Sequence, residues 1–203
     1  MRLRLFHFTR NAFPYIGPAH PHSTGVSPID LDLDLRLIQD DDRLRGLSLG
    51  DEAFTPLKIF LQRHALEYER QSLARTYAAF QVEPRKVLGY ITLVCGEVVI
   101  SDGDTCLIAG VDYRYKHYPA VKIARLAVDQ SVQRGGLGKH LVDLALGIAK
   151  REVSPSVGCR FVMVDSKRNS VKFYERCGFT MLDTPENKER NEPVMYVDLS
   201  KVD

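Results

Sequence analysis

The sequence predicts a mixed α/β fold, with a sheet of both parallel and antiparallel strands and helices on its faces. Three observations carry this. Residues 121–164 read as strand, glycine-rich loop, helix and strand, which is a parallel crossover unit. Two β-rich runs, 75–82 and 87–94, flank Glu83-Pro84-Arg85 and read as an antiparallel hairpin. The elements interleave along the chain in the order β-α-β-β-β-α-β-α-β-β instead of segregating into blocks.

Each element has a local reason. Residues 31–38 alternate apolar and polar as a half-buried strand does, and Asp40-Asp41-Asp42 ends the run. Pro56 opens a helical pattern in which Leu57, Phe60, Leu61, Ala65 and Tyr68 share one face. The stretch 101–119 is aromatic and basic around a turn at Asp102-Gly103-Asp104, and its period assigns it to no element. Residues 121–128 form a strand with a fully apolar end, Leu126-Ala127-Val128. In the helix that follows, Leu137, Leu141, Leu144, Ala145, Ile148 and Ala149 keep helical spacing. Residues 161–164 are continuously apolar, as a strand buried on both faces requires. A short helix from about 170 to 177 ends at Gly178. Strands at 179–182 and 194–199 close the chain.

With 203 residues, 44% hydrophobic and 27% charged, the chain has ordinary globular composition and length enough to bury a core. Residues 1–28 stand apart. Pro14, Pro18, Pro21 and Pro28 break any apolar period there, so they read as an irregular arm preceding a single domain at 29–203. The net charge of +2 is too small to imply nucleic acid by itself, so a basic surface has to come from local clustering. Cys95, Cys106, Cys159 and Cys177 form no C-x-x-C pair, which argues against zinc. The charged N-terminus does not read as a secretory segment, and no run approaches the ~20 apolar residues of a membrane span. Free thiols and a cytoplasmic protein are therefore expected.

The loop after Val128 is the most informative segment. It runs Gln133-Arg134-Gly135-Gly136-Leu137-Gly138-Lys139 between a strand and a helix. Glycines bring backbone N–H groups close to an oxyanion, a helix N-terminus adds its dipole, and Arg134 and Lys139 add full charges. A P-loop would need glycine six positions before the lysine and Ser or Thr after it, where Gln133 and His140 stand. A dinucleotide fingerprint would need a third glycine at Leu141. A third pattern, Gln/Arg-x-x-Gly-x-Gly, is met by Gln133, Gly136 and Gly138.

Those residues resemble the GNAT superfamily of acyl-CoA N-acyltransferases. The resemblance covers roughly residues 30–200. A second motif agrees: 169–179, with Asn169, Tyr174, Gly178 and Phe179, is similar to that superfamily's N-x-x-A-x-x-F/Y-Y-x-x-x-G-F segment, with Lys172 where a small residue is usual. The resemblance implies a mostly antiparallel mixed sheet with a central parallel pair and helices on both faces. It implies acetyl-CoA as co-substrate and no metal. Pantetheine would pair with Leu126, Ala127 and Val128, pyrophosphate would sit on 133–139, and Asn169 would touch the cofactor arm. Tyr174 would face the thiol. A phenol keeps its proton at neutral pH, which suits a general acid to the departing sulfur. No general base is evident: Glu97, Asp112 and Asp129 are present, but stand in no constellation. An α-amine, titrating near ~7.7–8.0, needs less help than a lysine, so the absence favours an α-amine acceptor.

A narrower resemblance runs through 45–183. The segments 50–57, 60–65, 73–77, 89–93 and 123–129 look like those of the toxin-type acetyltransferases of toxin–antitoxin pairs, with Leu49-Gly50 where Cys-Gly is usual. It implies aminoacyl-tRNA as acceptor and an antitoxin protein as partner, and admits a homodimer. Arg114, Lys116, Lys122 and Arg125, near His117, are the matching candidate phosphate contacts. Two alternatives stay open: a stand-alone acetyltransferase of a small-molecule or protein amine, and a non-catalytic acyl-CoA-binding module.

Overall fold

A computed structural model describes residues 33–82, 85–100, 113 and 115–202. The expected arm at 1–28, Cys106, Asp112 and Arg114 lie outside the described residues. The elements are β1 (Leu33–Leu37), α1 (Thr55–Arg63), α2 (Ala65–Arg70), β2 (Arg75–Gln81), β3 (Lys86–Val99), β4 (His117–Val128), α3 (Leu137–Ile148), α4 (Ser154–Val157), β5 (Phe161–Asp165), α5 (Val171–Arg176), β6 (Thr180–Met181), α6 (Pro185–Glu189) and β7 (Val194–Asp198). The strands form one sheet in the order β1-β2-β3-β4-β5-β7-β6. Every neighbouring pair is antiparallel except β4 and β5, the pair joined by the α3 crossover. The predicted mixed sheet, hairpin and parallel unit are all present.

Several elements differ from the sequence reading. β3 runs to Val99 and β4 starts at His117, so part of the unassigned stretch is strand. The helix opened by Pro56 is two helices, because His64 at φ −122° leaves helical geometry, yet Phe60, Leu61 and Ala65 still bury together. In α3, Val142 and Leu146 are buried and Leu144 is only half-buried. α6 carries no apolar period. It is capped by Thr184 Oγ1, which accepts the Asn187 N–H at 3.2 Å, and has Pro185 in its first turn.

Alternation along the strands sorts the core into two faces. On one, α3 and α5 cover a continuous cluster that includes Ile91, Ile123, Leu137, Leu141, Val162 and Tyr174. The other face holds two separate clusters. One joins α1 and α2 to Phe80, Tyr90 and Ala127. The other joins Tyr118, Phe161 and Met163 to Leu182 and Val194. Lys122, Arg125 and Asp165 occupy the gap between them, by the alternation of β4 and β5.

Candidate active site

The site begins where β4 and β5 part. They pair only at Ala120↔Phe161, Val121↔Val162 and Lys122↔Met163, while β4 continues to Val128. At ~3.3 Å per residue this leaves about 20 Å of β4 edge facing no strand. A bulge sits just past the last pair. Thr92 faces Arg125 and Leu93 faces Ile123, so Ala124 has no counterpart on β3. Beyond it the side chains change faces: Leu126 and Val128 join Ile123 against the α3 cluster, and Arg125 and Ala127 turn the other way. Leu126, Ala127 and Val128 thus line the unpaired edge, a slot whose backbone groups can pair with an amide-bearing chain.

The loop folds at the end of this edge. Arg134 (φ 66°) and Gly136 (φ 89°) both adopt the left-handed conformation. Gly136 caps α3 with no side-chain hydrogen bond, so the first-turn N–H groups of Leu137, Gly138 and Lys139 have no partner within the helix. The arrangement fits a diphosphate: uncapped donors, a dipole end and the exposed Arg134. A Cβ at Gly136 would meet nothing within 4 Å, so glycine is there for its φ. Gly138 has a different reason, since its Cβ would lie 3.3 Å from the Phe173 ring; it lets α5 pack on the start of α3. Gln133 Nε2 donates to the Val128 carbonyl at 3.2 Å, and the Gly135 N–H donates to Val132 at 3.2 Å. Lys139 is held by Asp143 at 2.7 Å.

Tyr174, on α5, is 6% exposed and packs edge-on against Phe173 and Phe179 at 5.0 and 5.3 Å. Its hydroxyl has no hydrogen-bond partner among the described residues. Burial pushes the phenol well above its ordinary value, with a smaller push from Cys177, so it stays protonated at any physiological pH. Asn169 lies in the 3-10 turn before α5, within 3.4 Å of the Ser170 hydroxyl. Cys95, Cys159 and Cys177 are free.

The candidate bases part company. Glu97 pairs with His117 at 2.9 Å, at the far end of β3 and β4 from the loop. Asp129 is 1% exposed. It accepts the Ser131 hydroxyl at 2.6 Å and the Ser48 N–H at 2.8 Å, and pairs with Lys86 at 2.9 Å. Burial alone would raise its pKa, but these donors outweigh it and lower the pKa to about 2. Such a carboxylate is a weak base with its lone pairs already used; it is a structural anchor.

The basic candidates do not gather at one point. Lys122 is paired with Asp165, which Arg190 also approaches at 3.4 Å. The Arg125 guanidinium lies over Phe60 of α1, 3.7 Å from the ring centroid. Lys116 precedes β4, about 30 Å of extended strand from Arg125. Sequence reasoning missed Ser48, Lys86 and Asp165, none of which lies in a motif, and read Phe60 only as a packing residue of its helix. Among the described residues no group of His, Cys, Asp or Glu is arranged to hold a metal ion, and no helix is long and apolar enough to cross a membrane.

A parallel pair splayed beside an uncapped, glycine-started helix is the frame of an acyl-CoA transferase. The profile of the acetyltransferase (GNAT) family matches residues 53–179, and the chain belongs to that family. It is an acetyl-CoA-dependent N-acetyltransferase. A tRNA-acetylating toxin of Mycobacterium tuberculosis is 27% identical over 150 residues, spanning 73% of this chain and 85% of that protein. Many solved structures are similar, among them two of the toxin AtaT. The toxin AtaT complexed with acetyl-methionyl-tRNAfMet is 27% identical with a TM-score of 0.69, covering 84% of this chain and 97% of that one. A tyrosine-to-phenylalanine variant of AtaT, bound to acetyl-CoA and the C-terminus of the antitoxin AtaR, is 26% identical with a TM-score of 0.64, covering 83% and 94%.

Proposed function

We propose that this acetyltransferase is a toxin-type enzyme that transfers an acetyl group to the α-amine of an aminoacyl-tRNA in the cytoplasm. The observation that carries the reading is the similarity to the tRNA-bound toxin over 97% of that toxin's length. Acetyl-CoA supplies a thioester, a reactive acyl group with a thiolate leaving group. Leu126, Ala127 and Val128 hold its amide-bearing arm along the unpaired β4 edge. The backbone of 133–139, with Arg134, takes the diphosphate, and Asn169 faces the arm from the other side. N–H groups of that edge donate to the oxyanion that forms on the acyl carbon.

Tyr174 then delivers its proton to the departing sulfur as the C–S bond breaks, and the proton that the amine sheds on becoming an amide restores the phenol; burial keeps the hydroxyl protonated until that step. The acceptor needs no dedicated base, because an α-amine titrating near ~7.7–8.0 is already partly neutral. That agrees with a site whose carboxylates are engaged: Asp129 by four donors and Asp165 by Lys122. Arg125 and Lys122 on the opposite face contact the acceptor's phosphates. Residues 29–203 form the catalytic domain, and a cognate antitoxin restrains it.

The test is acetylation by the purified protein across a panel of charged tRNAs and free amines, read by mass spectrometry. Acetylation of at least one charged tRNA in preference to every free amine is expected. Turnover on small or protein amines alone would overturn the acceptor assignment and leave a stand-alone acetyltransferase.

A further inference from the structure

The loop and the α1 side of the sheet are joined by one short segment. Gly46 (φ 94°) and Gly50 (φ 78°) bracket residues 47–49, and both turns are of the left-handed kind that favours glycine. Between them, Leu47 is buried in the α1 cluster, and Ser48 is gripped by the residues that open the phosphate loop. Its N–H donates to Asp129 Oδ2 at 2.8 Å. Its carbonyl accepts the Gln130 N–H at 2.7 Å, and its hydroxyl accepts Gln130 Nε2 at 2.8 Å. The fit is tight, since a Cβ at Gly50 would lie 2.7 Å from Gln130 Oε1.

Asp129 anchors the other partners of this grip. It accepts both the N–H and the hydroxyl of Ser131, at 3.1 and 2.6 Å, inside the loop's first turn, and it pairs with Lys86 at the start of β3. Downstream of Ser48 the chain enters α1. There the Leu57 carbonyl accepts the Tyr90 hydroxyl at 2.7 Å, and Phe60 carries Arg125 on its ring. Just before α1, the Phe54 ring lies 5.4 Å from Lys167 Nζ, two residues past β5. α1 therefore touches β4, the residue leading into it reaches the segment that follows β5, and the whole is tied to the loop through Ser48.

We propose that Ser48 is a positioning residue, a clip between Asp129 and Gln130 through which occupancy of the phosphate loop orders α1 and so shapes the acceptor side of the cleft. Ser48 touches neither substrate. Its effect is a coupling between the two sides, and such couplings are reciprocal for binding. The inference rests on residues 133–139 being the cofactor site.

Hydrogen–deuterium exchange of the full chain with and without coenzyme A tests it. In the wild type, coenzyme A is expected to slow exchange at 133–141 and also in α1, by about fivefold or more in each. Gly50→Ala, whose Cβ collides with Gln130, is expected to keep protection at 133–141 and lose it in α1. Should Gly50→Ala fail to fold, Ser48→Ala replaces it; it removes only the hydroxyl contact and is expected to reduce α1 protection at unchanged loop protection. Undiminished α1 protection in the folded variant would overturn the clip, as would a wild type protected at 133–141 but not in α1. A wild type unprotected at 133–141 would overturn the cofactor site itself, and the clip with it.

Discussion

The two faces of the sheet are built on different plans. The α3/α5 face carries one continuous apolar cluster, and its functional parts follow one another between 129 and 179. The α1 face is interrupted: Lys122, Arg125 and Asp165 separate two apolar clusters, and the parts come from distant stretches of chain. The first face can hold a fixed cofactor with preset donors. The second keeps charge at its centre, compensated by an ion pair and an aromatic ring. The difference teaches that a run of neighbouring residues can shape one side of a cleft, while its charge-lined side is assembled from distant stretches of chain.

The largest effect expected lies on the first face. Tyr174→Phe removes a hydroxyl and keeps the ring packing on Phe173 and Phe179. Steady-state kinetics should show kcat lower by ~10²–10⁴-fold, with acetyl-CoA affinity unchanged by calorimetry. A kcat within a few-fold of wild type would make Tyr174 a packing residue. Gly136→Glu comes next. It forces a side chain into φ 89° and sets a carboxylate where we propose the diphosphate binds, so acetyl-CoA Kd should rise roughly tenfold or more in a folded protein. Gly138→Glu would be less informative, because it also collides with Phe173.

Asp129 joins the faces, and pH probes it. Its pKa is lowered from 3.8 to about 2 by its donors, against its burial. The stability it contributes, about 2 kcal/mol, is present above pH ~4 and is lost as pH falls toward 2. Asp129→Asn should flatten the acid limb of a stability–pH curve from chemical denaturation; an unchanged limb would show that Asp129 is not its source. The smallest effect belongs to the second face. Arg125→Ala should lower the slope of log acceptor affinity against log salt by about 0.7–0.9, with acetyl-CoA affinity unchanged, while Lys116→Ala should leave the slope alone. Equal effects from the two would mean that the acceptor runs along the whole of β4.

The same contrast explains what could be read in advance. The crossover unit, the turn of the loop and the helical place of Tyr174 were legible because each is fixed by neighbours in sequence: a strand end, a left-handed glycine and a helical turn. The hairpin was legible for the same reason. The place of β7 between β5 and β6 was not, because it depends on which edge a late strand reaches. Asp129 read as a free carboxylate because one of its donors, the Ser48 N–H, lies 81 residues away. Arg125 and Lys116 read as one cluster because charge in sequence says nothing of distance along a strand. Arg125 and Lys122 share a face only through the bulge, which no composition signals.

That bulge has a consequence for how this chain can vary. Loops commonly tolerate insertions and deletions, and strands rarely do, because losing one residue turns every later side chain over. Ala124 is the exception, because it stands opposite no residue of β3. Deleting it would set Arg125 directly after Ile123 in ordinary alternation, still opposite Thr92, so Arg125 and Ala127 would keep the α1 side and Leu126 and Val128 the α3 side. What would be lost is the local bend and added twist that an extra residue gives a strand, at the point where β4 leaves β5. The unmatched alanine is a place where this strand has absorbed a change of length without turning the cleft inside out.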